Sequence, residues 1–180
     1  VPAMTFAATW NMALCVPGKN IHLRFVNVDS RGLMSSFDLE TNLHNLTEEG
    51  LLSKVLGVIA VDIGGHLCDE SELGSACAHY EIPLFIDGAH SVGSRSVSTH
   101  VRAVTCSFHA LKNLTTGGEG GGVIMDYKRD DKIVGVMIAM INQAKSTDGH
   151  FRYIGFNMRL TGMQAAFGLA QIASFWKRNA

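Results

Sequence analysis

The stretch Ser107-Phe108-His109-Ala110-Leu111-Lys112-Asn113-Leu114-Thr115-Thr116-Gly117-Gly118-Glu119-Gly120-Gly121-Gly122 decides how the rest of the chain is read. An apolar, strand-like segment (Ala103–Phe108) runs into it, and a second (Gly122–Met125) leaves it. Ser107 therefore stands at a strand end, and Lys112 follows five residues later, just before a glycine-rich turn. A lysine there is not placed like an ordinary surface charge. In open α/β sheets, ligands bind beyond the carboxyl ends of the strands, and the pattern predicts that Ser107 and Lys112 lie at such an end.

Working outward, the remaining segments predict strands alternating with helices or long crossovers. Thr5 is expected to cap a short helix running to Ala13 or Leu14 and closed by a Pro17-Gly18 turn. Leu23–Val28 is expected to be a strand, followed by a turn at Ser30-Arg31-Gly32. Phe37–Ser53 is polar and irregular, with one helical stretch. Val55–Ile63 is a nearly continuous β-branched run, which suits a strand buried on both faces of a parallel sheet. It ends in a Gly64-Gly65 loop. Asp69–Tyr80 reads as a helix with Leu73, Ala76, Cys77 and Tyr80 on one face. Pro83–Asp87 is the next strand. Arg129–Ile141 and Leu160–Trp176 read as helices, the second with Ala, Phe, Leu and Ile inward, and Ser146–Asn157 as a loop between them. The expected fold class is α/β, with a mainly parallel sheet flanked by helices.

Bulk properties narrow the function classes. The chain has 180 residues, 47% of them hydrophobic and 17% charged, with a net charge of −1. That balance gives no signal for nucleic acid. The longest apolar runs, such as Val55–Val61, fall well short of the ~20 residues of a membrane span, and no basic-then-apolar leader is visible. Cys15, Cys68, Cys77 and Cys106 form no CxxC pair and read as reduced thiols of a cytoplasmic protein. His66, Cys68 and Asp69 match no zinc spacing, so no metal site is expected.

Three strand ends carry polar groups: Asp87 with His90 three residues on, Ser107 with Lys112, and Gly64-Gly65-His66. In a parallel sheet these ends share one edge, so the groups can converge. Taken singly, each has an ordinary explanation: Asp87 as a turn former, His90 as a structural histidine, Phe6 as core. The joint arrangement suits pyridoxal phosphate. A carboxylate such as Asp87 keeps that cofactor's ring nitrogen protonated, so the ring can act as an electron sink. A primary amine such as Lys112 binds the aldehyde as a Schiff base. Ser107 and nearby N–H groups can hold phosphate, and Phe6 can stack on the ring.

Four motifs carry a specific resemblance: Pro-Ala-Met-Thr-Phe-Ala-Ala-Thr (2–9), Ile-Asp-Gly-Ala-His-Ser-Val-Gly (86–93), the Ser107–Gly121 run, and Gly-Phe-Asn-Met-Arg-Leu-Thr-Gly-Met-Gln-Ala-Ala (155–166). Their residues and order resemble the DegT/DnrJ/EryC1/StrS family, the pyridoxal-phosphate-dependent sugar aminotransferases of aspartate aminotransferase fold type I. The resemblance implies that Lys112 is the Schiff-base lysine and that Asp87 pairs with the pyridine nitrogen. It places His90 beside the phenolic oxygen, Ser107 on the phosphate and Phe6 on the ring. Asn157, with Arg159 sharing its role, would reach the phosphate of a neighbouring subunit, which implies a homodimer with shared sites. The reaction implied is amino transfer from an amino acid, usually glutamate, to a keto group of a nucleotide-linked sugar. Ile86 stands where the family often has an acidic residue. The family's Ser-Gly-Thr phosphate loop and C-terminal small domain have no counterpart here, so residues 1–180 are expected to form the large-domain core. Two other functions are compatible with the residues: a non-catalytic scaffold of the same fold, and another pyridoxal-phosphate enzyme such as a cysteine desulfurase-like lyase.

Overall fold

The computed structural model describes residues 1–16, 18–95, 98–146 and 148–178. The chain divides into two compact units, Val1–Cys106 and Ser107–Ala180.

The first unit is built on parallel strands. β1 (Val58–Val61) pairs in parallel with β2 (Leu84–Asp87), in register Val58↔Leu84 to Val61↔Asp87. β2 pairs in parallel with β3 (Ala103–Ser107), with Asp87 opposite Thr105. The expected α/β class with a mainly parallel sheet is therefore observed. β1 is shorter than the apolar run Val55–Ile63, because the chain leaves the sheet at Asp62 for a tight turn over Ile63–Gly65.

Three helices complete this unit. α1 (Ala7–Leu14) forms as expected, but Thr5 does not cap it. Its N-cap is Phe6, with no side-chain hydrogen bond, while the Thr5 hydroxyl donates instead to Thr9 Oγ1 at 2.9 Å. Pro17, of the expected closing turn, lies outside the described residues. α2 (Ser36–Glu48) fills the stretch that reads as mostly irregular. Ser35 caps it by accepting from the Asp38 N–H at 3.1 Å, and Leu39 and Leu43 share the i, i+4 face that is buried. α3 (Glu70–His79) starts at Asp69, whose Oδ1 accepts from the N–H groups of Ser71 and Glu72, both at 3.0 Å.

Leu39 and Leu43 of α2 and Leu73 and Cys77 of α3 belong to one buried cluster with Val58, Ala60, Leu84, Ile86 and Val104 from the strands. Ala76 and Tyr80 pack against it, as the helical spacing predicts. Each large aliphatic side chain buried this way stabilises the unit by roughly 1.5–3 kcal/mol. Leu23–Val28 is not a strand. Among the described residues it makes single bridges, Pro2↔Val26 and Val28↔Met34, and no ladder. The turn after it is present: Gly32, at φ +80°, donates its N–H to the Asp29 carbonyl at 3.0 Å.

The second unit contains β4 (Gly121–Met125), α4 (Tyr127–Ile141) and α5 (Gly162–Arg178). Asp126 caps α4 through the Lys128 N–H at 3.0 Å, and the helix is bent at Asp130. Thr161 and Gln164 open α5 with a reciprocal box: Gln164 N–H donates to Thr161 Oγ1, and Thr161 N–H donates to Gln164 Oε1. Along α5, Phe175 is buried, but Leu169 and Ile172 are exposed rather than inward.

Candidate active site

In the first unit, the site is organised by Asp87, the last residue of β2. Its half-buried carboxyl group is held on both oxygens. Oδ2 accepts from Thr9 Oγ1 at 2.6 Å, and Oδ1 from the Ala89 N–H at 3.1 Å. Thr9 is buried on α1 and itself receives the Thr5 hydroxyl, so a three-member hydrogen-bonded chain runs Thr5 to Thr9 to Asp87. The turn after Asp87 is pressed against β3. Gly88 donates its N–H to the Thr105 carbonyl at 2.9 Å, and a Cβ at Gly88 would lie 2.8 Å from Val104 Cγ1. Burial and the negative charge of Asp87 both push the Cys106 thiol up.

His90 lies three residues beyond Asp87, as the sequence predicts. Its Nδ1 accepts from the Gly64 N–H at 3.1 Å. Gly64, at φ +62°, sits in the turn that follows β1, so its backbone conformation suits glycine. Phe6 opens α1 one turn before Thr9 and is 67% exposed.

In the second unit, Ser107 and Lys112 lie on the loop quoted at the outset. Ser107 Oγ accepts from the His109 N–H at 3.3 Å, and the Lys112 N–H donates to the His109 carbonyl at 2.9 Å. The Lys112 side chain is half-buried. The glycine run is an ordered turn. Phe108 N–H donates to Gly120 O at 2.8 Å and Thr116 N–H to Phe108 O at 3.0 Å, closing the loop on itself. Gln164 Nε2, from the first turn of α5, donates to Glu119 O at 2.7 Å. A Cβ at Gly120 would stand 2.6 Å from Thr116 Oγ1. Asn157 is exposed and bridges Asn142 through the backbone, while Arg159 donates from Nη1 to Asn142 Oδ1.

Comparison with known proteins decides the family. The model of the DegT/DnrJ/EryC1/StrS aminotransferase family matches residues 1–180. The chain belongs to that family. It is 31% identical, over 94% of its length and 44% of the relative's, to the UDP-4-amino-4,6-dideoxy-N-acetyl-beta-L-altrosamine transaminase of Campylobacter jejuni. It is 26% identical, over 96% of its length and 45% of the relative's, to the GDP-perosamine synthase of Vibrio cholerae. The crystal structure of a DegT DnrJ EryC1 StrS aminotransferase from Brucella abortus superposes with a TM-score of 0.85 at 24% identity, covering 98% of this chain and 47% of that one. The fold is therefore that of the family's solved members. The chain spans about half the length of the curated relatives it matches.

The donor chemistry present in the two units fits pyridoxal phosphate. Asp87 offers an oriented carboxyl group for a ring nitrogen, Lys112 a primary amine for an aldehyde, and Ser107 a hydroxyl for a phosphate. Sequence reasoning missed Thr9, the direct partner of Asp87, although it ends the first family-like motif. It also missed Asp62, Ser91 and Arg95, which form a buried cluster beside the Asp87 turn.

Proposed function

We propose that this chain is the cofactor-binding part of an aminotransferase that moves an amino group from an amino acid, glutamate first among candidates, to a keto group of a nucleotide-linked sugar. The observation that most supports it is the setting of Asp87: a half-buried carboxyl group at the end of a parallel strand, fixed by the Thr9 hydroxyl and the Ala89 N–H. The sugar-nucleotide names of the relatives support the substrate class.

Pyridoxal phosphate, when bound, supplies an electron sink for the carbon that gains or loses a proton. Asp87 would hold the proton on the ring nitrogen, with Thr9 and Ala89 keeping its oxygens aimed. Lys112 would bind the aldehyde carbon through Nζ. Once displaced by the amino donor, Nζ would carry the proton between the two carbons as general base and then general acid. His90 would sit beside the phenolic oxygen, Phe6 would cover the ring face, and Ser107 would bind the phosphate. Asn157 would reach the phosphate site of a second copy, making the working form a cytoplasmic homodimer with shared sites.

The test is addition of pyridoxal phosphate to the folded protein, with borohydride trapping and peptide mapping. A visible band trapped on Lys112, and lost in Lys112→Ala, is expected. A folded protein that yields no band would sink the reading. Amination of a keto sugar with glutamate is then compared with sulfur release from cysteine. Sulfur release alone would replace the aminotransferase with a desulfurase.

A further inference from the structure

Beside the Asp87 turn lies a buried ion pair that the proposed chemistry does not use. Arg95 grips Asp62 with two bonds, Nε to Oδ2 at 2.6 Å and Nη2 to Oδ1 at 2.8 Å. Their side chains are 5% and 0% exposed. Asp62 Oδ1 also accepts from the Cys68 N–H at 2.9 Å, and Oδ2 from Ser91 Oγ at 2.6 Å. Arg95 also donates from Nη1 to Glu70 Oε2 at 2.7 Å and from Nη2 to the Cys68 carbonyl at 2.9 Å.

The position of this cluster in the chain gives it meaning. Asp62 donates its own N–H to the carbonyl of Asp87 at 3.0 Å. Two residues after Asp62 comes Gly64, whose N–H meets Nδ1 of His90 at 3.1 Å. One residue after His90 comes Ser91, whose hydroxyl is bound to Asp62. Both partners of the Gly64–His90 contact are thus tied to one carboxyl group. An Nδ1 that accepts leaves the ring proton on Nε2. A two-bond guanidinium–carboxylate contact is rigid in plane and direction, which suits a device that fixes how two turns face each other.

We propose that Asp62, Arg95 and Ser91 are positioning residues that hold His90 in the Nε2–H tautomer, and hold the turn carrying Asp87 in place through the Asp62 N–H bond to the Asp87 carbonyl. The use of that tautomer rests on the pyridoxal-phosphate reading above; the tautomer itself does not, and is read without cofactor.

The experiment is long-range ¹H–¹⁵N correlation of the histidine rings in the ¹⁵N-labelled, cofactor-free protein, at about pH 9, where an ordinary histidine is neutral. His90 is assigned by loss of its signal in His90→Gln. Wild type is expected to show His90 as a single Nε2–H pattern. In Arg95→Lys and in Ser91→Ala, the Nε2–H to Nδ1–H ratio is expected to fall by about fivefold, the loss of roughly one hydrogen bond's preference. Signals of remote rings such as His22 stay fixed. Ser91→Ala keeps the ion pair and decides the matter if Arg95→Lys does not fold. A His90 pattern unchanged in a folded variant, whatever its melting temperature, would make the cluster merely structural and overturn the proposal. Pyridoxal phosphate is then added to the same samples. Wild type is expected to give a visible band, and the folded variants to bind at least severalfold more weakly. Unaltered binding in the variants would overturn the part concerning the hold on the Asp87 turn. No band in wild type would remove the cofactor reading while leaving the tautomer result to stand on its own.

Discussion

Thr9 donates a 2.6 Å hydrogen bond to Asp87 across 78 residues of chain, joining the first helix to the end of the second strand. The bond leaves one Asp87 oxygen committed to α1 and the other to the Ala89 N–H. Replacing Thr9 by Val keeps the shape and deletes the donor. A charge-assisted bond of this kind contributes about 1.5–3 kcal/mol, so Thr9→Val is expected to lower the urea midpoint correspondingly. It should also weaken pyridoxal phosphate binding, read by titration of the visible band. A variant that matches wild type in both would show that Asp87 is oriented by other contacts.

Gly88 is expected to tolerate no side chain. A Cβ there would stand 2.8 Å from Val104 Cγ1, 3.0 Å from Ser91 Oγ and 3.0 Å from the Thr105 carbonyl; the two side chains would have to leave their buried positions, and the carbonyl cannot shift without moving β3. Gly88→Ala should destabilise by about 1–3 kcal/mol, the usual cost of overpacking. For a chain of this size that is a fall of about 2–4 °C in Tm per kcal/mol. Scanning calorimetry checks it, and an unchanged Tm would refute the close packing.

The acid limb of stability is expected to depend on Asp62. Burial pushes this carboxyl up, but hydrogen bonds from Arg95, Ser91 and the Cys68 N–H, with the charge of Arg95, outweigh burial and hold it below its ordinary 3.8. A group with a lowered folded value binds its proton more readily when unfolded. Its contribution is therefore complete above about pH 4 and is lost as pH falls through the folded value. Asp62→Asn should cost roughly 3–5 kcal/mol at neutral pH, because it leaves Arg95 buried without its counter-charge. The gap from wild type should then narrow as pH drops below about 4. Denaturant melts across that range test the sign: a gap of constant size would contradict it.

The four thiols are expected to separate by reactivity. Cys15 is exposed and should react with a chromogenic disulfide in the native protein. Burial and the Asp62 charge push Cys68 up to about 12, and burial pushes Cys77 up to about 11. Neither should react near neutral pH until denaturant is added. Peptide mapping after a short pulse reads the order, and early labelling of Cys68 would contradict the buried Arg95–Asp62 cluster it adjoins.

What the sequence made legible was short-range. The β-branched run around Val58–Val61 and the spacing of Leu73 and Cys77 announce a buried strand and an amphipathic helix, and both are there. The one helical stretch expected within Phe37–Ser53 is α2, but its extent was not legible, because its polar composition hides a narrow apolar stripe. The Ser35-to-Asp38 cap spacing is the local signal that marks its start. Leu23–Val28 has strand-like residues, but a strand needs a neighbour to bond with, and that depends on tertiary position rather than composition. Among the residues proposed for the cofactor, Asp87 and Ser107 stand out because they end strands β2 and β3, with His90 and Lys112 following three and five residues later. Thr9, Ser91 and Arg95 do not stand out. Their value comes from partners 78, 29 and 33 residues away, and no local pattern encodes such a pairing.

The bonds from Arg95 to Glu70, Cys68 and Asp62 span 25, 27 and 33 residues, bracketing α3 and β2 entirely. They can form only after that whole segment has closed. The entropy of closing that segment is lost before the contacts form, so the cluster is expected to complete late, and interactions completed after the transition state act on the unfolding rate. The cluster should therefore act as a latch on the way out rather than a guide on the way in. In stopped-flow chevrons, Arg95→Lys is expected to raise the unfolding rate at every denaturant concentration, leaving the slope of the unfolding arm unchanged, while the refolding rate in water stays within about twofold of wild type.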